Sequence, residues 1–450
     1  MNRKLGAAAV IVAVAAATFV SVPAAQAAPR QLRAVDATVI TEVTPVGIKA
    51  TGLAVEYDGT VDLGSVEIDT AAFDVDVTLT RPGMAPATGK RTVVDAYSND
   101  DTSFSDQQKP GRFIILELDD DDALAPAVSF VGREYFYNLH GAYTVSQVQS
   151  IVGNVPRAGH SGHEVNAQRI NGHPGRDVTN SEVRNLIIED FGHGTFVADS
   201  GTTLPYRYFT PKLEQGKSYP LVVTLHGAGE SGTDNFAQLA GNQLATAFAD
   251  PARQARHSAY VLSPQTNPSD SNMGRWPTPT MVQTVVELVE QTLADNPQID
   301  PDRIYISGVS MGSMGSWSVL QERSDLFAGA LLICGRGDEA AAVANLSDFP
   351  IWAVHSIDDA NVAYDAEGSD YRIFRAFEDA GVTVTWSEWS GLGSDVEKEA
   401  AAAEALDRAH AEGSSHLFTT FPAGTTPVFP HGSWIPTYTN DVIIDWLFAQ

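Results

Sequence analysis

The chain has 450 residues, 43% of them hydrophobic and 19% charged, with a formal net charge of −28. This apolar mass provides for one large core and a smaller second one, which excludes a disordered chain and predicts two folded units. With 56 acidic residues against 28 basic ones, the chain repels nucleic acid and anionic lipid, so neither is expected as a partner.

Arg3 and Lys4 precede an apolar run over 5–22, and Ala25-Gln26-Ala27 supplies a small-x-small cleavage site. The pattern predicts a secretory signal peptide over residues 1–27, and hence a secreted, extracellular protein with no membrane association after cleavage. A retained anchor would need a run just long enough to span a bilayer; alanine dominates this one, and the cleavage site follows at once.

From 33 to 200 the pattern is of short β-like runs separated by turn signals, at 35–41, 52–57, 66–68, 72–80, 112–118 and 142–148. Every second residue of Phe73-Asp74-Val75-Asp76-Val77-Thr78-Leu79-Thr80 is apolar, as in a half-buried antiparallel strand. Several such strands with few helical stretches predict a β-sandwich of immunoglobulin-like kind. The run Asp119-Asp120-Asp121-Asp122 lacks the alternating spacing of a calcium loop and reads as a solvated turn. His160, His163 and His173 show no definite zinc spacing, so no metal site is expected.

Beyond about residue 204 strands alternate with helices: strands at 219–225, 259–263, 303–307, 329–333, 351–355 and 382–389, helices at 279–294, 315–322, 371–380 and 440–448. This predicts an α/β domain over 204–450, a mostly parallel sheet with helices on both faces. The strand at 219–225 runs into His226-Gly227-Ala228-Gly229-Glu230, whose small residues let a carbonyl approach the main chain. Gly308-Val309-Ser310-Met311-Gly312 lies between a strand and a helix, the context that a nucleophile elbow requires. Ser310 is therefore the expected nucleophile. The backbone N–H groups of Ala228 and Met311 are the expected oxyanion hole, with Gly229 as the alternative to Ala228. His226 is expected to shape its loop. Cys334, the only cysteine, excludes an internal disulfide and reads as a packed small hydrophobe.

An acid should follow the nucleophile at the end of a later strand, and Asp358 and Asp359 both qualify. The base should sit in a loop further on. His410 falls in a helical stretch, His416 opens an apolar strand, and His431 stands in Pro430-His431-Gly432-Ser433-Trp434. His431 is the expected base.

Leu225 to Asn235 (LHGAGESGTDN), Asp300 to Gly312 (DPDRIYISGVSMG), Ile333 to Asp338 (ICGRGD), Pro350 to Asp359 (PIWAVHSIDD), His431 to Trp434 (HGSW) and Asp445 to Gln450 (DWLFAQ) together resemble secreted esterases and predicted peptidases related to feruloyl esterases and polyhydroxybutyrate depolymerases. Some of these carry an N-terminal immunoglobulin-like domain. The resemblance implies an α/β-hydrolase fold and places the acid at Asp359, the fourth residue after a strand-end histidine. It implies an aromatic beside the pocket at Trp276, and Trp434 lies three residues beyond the base; each is readable as a substrate contact or as packing. It leaves unexplained an Ala- and Glu-rich stretch at 394–413, readable as a lid or as surface decoration.

The expected activity is hydrolysis of a small-molecule or polymeric carboxylic ester through a Ser-His-Asp acyl-enzyme, with no cofactor. A peptidase using the same residues is the first alternative, and a binding protein with a vestigial catalytic domain the second.

Overall fold

The computed structural model describes residues 31–80, 85–131, 134–137, 141–155, 166–170, 177–267 and 275–450. The segment read as a signal peptide and the histidines His160, His163 and His173 lie outside them. Among the described residues no helix is long and apolar enough to cross a membrane.

Two sheets of five and four strands face each other in the N-terminal region. Phe73, Val75, Val77 and Leu79 are buried, while Asp76 and Thr78 between them are exposed. Those side chains pack with Tyr143 and Val145 against Leu53, Val55 and Leu116 of the opposite sheet, the layered core of a sandwich. No strand forms at 66–68, where the Val66 N–H closes a turn on the Leu63 carbonyl. The acidic run is more than a solvated turn: Asp122 accepts from Arg91 Nε at 3.0 Å and from the Thr92 N–H at 2.7 Å. The Arg91 side chain is wholly buried, and the pairing lets it be so.

A hairpin of Ala34–Thr44 and Gly47–Val61 reaches out of the sandwich. Val43 and Ile48 at its tip are part of the hydrophobic core of the second domain.

The second domain holds a nine-stranded sheet. Its strands are β1 (Gly192–Val197), β2 (Thr203–Phe209), β3 (Tyr219–Leu225), β4 (Tyr260–Pro264), β5 (Ile299–Val309), β6 (Gly329–Ile333), β7 (Ile351–Ser356), β8 (Val384–Glu388) and β9 (His416–Phe421). Their spatial order is β1-β2-β4-β3-β5-β6-β7-β9-β8. The pairs β1–β2 and β2–β4 are antiparallel and the rest are parallel. Every residue of β3, β6 and β7 is buried, as helices on both faces require. Because β1 belongs to this sheet, the boundary expected at 200–204 moves upstream of Gly192.

The principal helices are α1 (Pro279–Asp295), α2 (Met311–Arg323), α3 (Asp370–Asp379), α4 (Asp395–Glu412) and α5 (Asp441–Phe448). Helix α4 accounts for the unexplained stretch at 394–413. Parallel neighbours cannot be joined by a tight turn, and α4 is the crossover from β8 to β9. A capping box between Ser394 and Glu397 starts it and Gly413 at φ 66° ends it. Ala402, Ala405 and Ala409 are essentially unexposed in the core, so α4 covers the sheet and is not a lid.

Candidate active site

Strand β5 ends in a turn that only glycine permits. A Cβ on Gly312 would lie 1.7 Å from the Leu225 carbonyl oxygen, and one on Gly308 would lie 2.5 Å from the Gly312 backbone. Between them Ser310 adopts φ 54° and ψ −115°, a strained conformation held by its N–H bond to the Ile333 carbonyl at 2.9 Å. The turn leaves the serine hydroxyl at the head of α2.

Loops after β7 and β9 bring the other two groups to it. His431 Nδ1–H donates to Asp359 Oδ2 at 2.6 Å, and Ser310 Oγ lies 2.9 Å from His431 Nε2, within hydrogen-bond reach. The carboxylate can only accept, which keeps a proton on Nδ1. Asp359 Oδ1 accepts from the N–H groups of Asn361 and Val362 at 2.8 and 3.1 Å. Burial alone would raise the Asp359 pKa, but His355 and His431 lower it well below the usual carboxylate range. For His431, burial disfavours the imidazolium, while the Cys334 sulfur and the Asp359 carboxylate favour it more, and its pKa rises above the ordinary histidine value. Asp358 is half-buried and accepts from the Gly424 N–H at 2.9 Å, so it fastens the next loop.

Ala228 and Met311 occupy equivalent places. Each is the first residue of a helical turn, Ala228–Glu230 and α2, where an N–H has no partner one turn back. Gly227 packs against the elbow: a Cβ there would lie 3.9 Å from Ser310 Cβ. The loop that carries Ala228 thus stands against the elbow that Met311 follows.

The two tryptophans differ from one another. Trp276 is 1% exposed, and its indole N–H donates to the His226 carbonyl at 2.9 Å. It packs behind the loop and cannot line a substrate pocket. Trp434 stands edge-on to His431 at 5.6 Å between ring centres, and its indole N–H donates to the Pro45 carbonyl at 3.1 Å. Its polar edge thus serves contact with the N-terminal hairpin.

Four residues of this region carry structure that the sequence reading did not assign. Glu230 is 5% exposed, accepts from Asn242 Nδ2 at 2.9 Å, and has its pKa raised by burial. Cys334 is buried at φ 45°, with its sulfur within 4.8 Å of ligand atoms of Asp359 and His431, so it abuts the triplet besides filling core. His355 and Asp370 are fully buried and paired, with His355 Nδ1 3.2 Å from Asp370 Oδ2. A spacing signal was available for two of them, since a strand-end histidine precedes a carboxylate by four residues in His226…Glu230 and in His355…Asp359.

Comparison with known proteins adds to this geometry. The family model of an esterase immunoglobulin-like N-terminal domain matches residues 36–155. A solved thermostable esterase is 30% identical, with 92% of this chain and 99% of that one covered and a TM-score of 0.72. An acylaminoacyl peptidase is 13% identical over 93% of this chain and 70% of its own, at a TM-score of 0.40. A ferulic acid esterase from the anaerobic fungus Anaeromyces mucronatus is 14% identical over 56% of this chain and 90% of its own, at a TM-score of 0.36. No curated protein sequence matches the chain.

Proposed function

Because the chain belongs to the esterases that carry an immunoglobulin-like N-terminal domain, we propose that it hydrolyses carboxylic esters by two-step acyl transfer at Ser310. The hydrogen-bonded chain from Asp359 through His431 to a serine in a strained elbow carries this reading.

His431 Nε2 takes the Ser310 proton as the oxygen attacks the ester carbonyl, while Nδ1–H stays on Asp359. Charge developing on the carbonyl oxygen is met by the Ala228 and Met311 N–H groups at the two helical N-termini. His431 then protonates the leaving alcohol, and water, deprotonated by the same nitrogen, releases the acid. The base works only when neutral. Since the His431 pKa lies above its ordinary value, kcat/KM should rise through the alkaline range rather than level off near neutrality.

Covalent labelling with a fluorophosphonate probe tests the assignment. Wild type should label and Ser310→Ala should not; undiminished labelling of that variant overturns it. A panel of small esters, polyesters and peptides then fixes the bond, and a preference for peptides would replace esterase by peptidase. The sequence of the first 27 residues supports export to the extracellular medium. Protein recovered from the medium should begin near Ala28, and a retained Met1 end would refute cleavage.

A further inference from the structure

Beneath Asp359 lies a second histidine–carboxylate pair with no place in the mechanism so far. His355 Nε2 is 2.9 Å from the Val362 carbonyl oxygen and 3.3 Å from Asp359 Oδ2, and its Nδ1 is 3.2 Å from Asp370 Oδ2. Both ring nitrogens therefore face atoms that can only accept. The carboxylates cannot supply the missing proton without losing bonds of their own. Asp370 Oδ1 accepts from Trp317 Nε1 at 2.7 Å and Oδ2 from the Gly335 N–H at 2.5 Å. Asp359 accepts from two backbone N–H groups and from His431. A neutral His355 would set a lone pair against an acceptor inside the protein, at 0% side-chain exposure.

We propose that His355 is a positioning residue of the reaction: an imidazole that stays protonated through the catalytic cycle, clamped between Asp370 and Asp359, which holds the triad acid so that only His431 exchanges its proton. The inference rests on the assignment of Asp359 as that acid. Two buried carboxylates and one imidazolium give the resting network one net negative charge. Transfer of the Ser310 proton to His431 brings it to zero, so the network favours the charge that the reaction creates. With His355 neutral the network would hold two uncompensated charges at rest, and His431 would part with its proton less readily.

Asp370 extends the clamp. Its carboxylate joins Trp317 on α2 and the end of β6 to His355, so the nucleophile's helix and the acid's loop share one anchor. The groups facing His355 are Asp359, Asp370, the Cys334 sulfur and the edge-on ring of Tyr364 at 5.7 Å. Burial works against the cation, but the two carboxylates outweigh it and push the pKa up to about 10.

Nitrogen-15 spectra of histidine-labelled protein at pH 8 test the charge directly, with His355→Gln assigning the ring by the signals it removes. Both nitrogens of His355 should carry protons, and a neutral tautomer overturns the proposal. In His355→Gln, kcat should fall about 10- to 100-fold while KM stays within about twofold. Loss of the cation should also move the acid limb of kcat/KM upward by about one pH unit. A fall in kcat with that limb unmoved means packing only, and also overturns it. Should His355→Gln fail to fold, Asp370→Asn serves: it should lower the pH at which His355 loses its proton, and an unchanged titration refutes the clamp. The triad reading fails separately, on labelling of Ser310→Ala, because the nitrogen spectra report His355 whether or not Ser310 reacts.

Discussion

Two loops of the sheet begin alike and end in opposite electrostatic states. After β3, His226 precedes Glu230 by four residues; after β7, His355 precedes Asp359 by the same interval. All four side chains are buried. His226 Nε2 accepts from the Thr266 N–H at 3.0 Å and Nδ1–H donates to the Gly227 carbonyl, so one donor and one acceptor satisfy a neutral ring. Burial lowers its pKa to about 4, and Glu230 beyond it is pushed toward its protonated form. His355 meets acceptors on both sides and Asp359 is held ionised. Spacing alone therefore does not assign a histidine its role. A single backbone N–H in place of a carboxylate removes its charge.

The largest expected effect separates the carboxylates. Asp359→Asn should lower kcat by about 10⁴-fold through the wrong His431 tautomer, whereas Glu230→Gln should cost less than about tenfold, since an amide resembles a protonated carboxyl. Equal losses would erase the distinction between the loops. His226→Asn should cost about 2 kcal/mol of stability by stripping the buried Thr266 N–H of its acceptor. Its acid limb of kcat/KM should stay in place, unlike that of His355→Gln, and a moved limb would mean His226 is not neutral.

The same contrast fixes opposite pH windows for stability. A depressed folded pKa gives stability present above the unfolded value of about 6.5 and lost as pH falls toward 4, which is the His226 case. A raised folded pKa gives stability present below about 6.5 and lost as pH rises toward 10, the His355 case, which His431 shares. Melting temperatures across pH should show His226→Asn flattening the acid fall and His355→Gln part of the alkaline one; the reverse pattern would contradict both assignments. The smallest effect belongs to Asp358→Asn. An amide oxygen can still accept from Gly424, so steady-state kinetics should show kcat within about twofold of wild type. A collapse of activity there would shift the acid by one residue.

The elbow was legible because its chemistry is local: glycines on either side of Ser310 record a backbone that no side chain fits. The α/β pattern was legible for a similar reason, since strands buried on both faces are apolar throughout. What could not be read is what depends on partners distant in sequence. Asp370 looks like an ordinary first-turn helix acid, and only the fold shows it meeting Trp317, 53 residues away. The place of Trp276 was not legible because an aromatic near a pocket loop looks the same whether its ring faces substrate or lies behind the loop. Residues 192–197 fall on the sandwich side of the expected boundary because their sequence, GHGTFV, lacks the apolar run that marks the buried parallel strands. The stretch at 394–413 looked like an insertion because nothing in its composition tells that β9 must return between β7 and β8.

That return has a kinetic consequence. Strand β9 is synthesised after β8 yet occupies the slot inside it, so β7 stays an open edge until residues 416–421 emerge, and β8 has no neighbour to pair with. His431 follows ten residues after Phe421, so the base arrives together with the strand that seats its loop. On the mechanism proposed above, a chain whose sheet has not yet taken in residues 416–421 would hold the Ser310 elbow without its proton acceptor, and should stay chemically silent until the sheet closes.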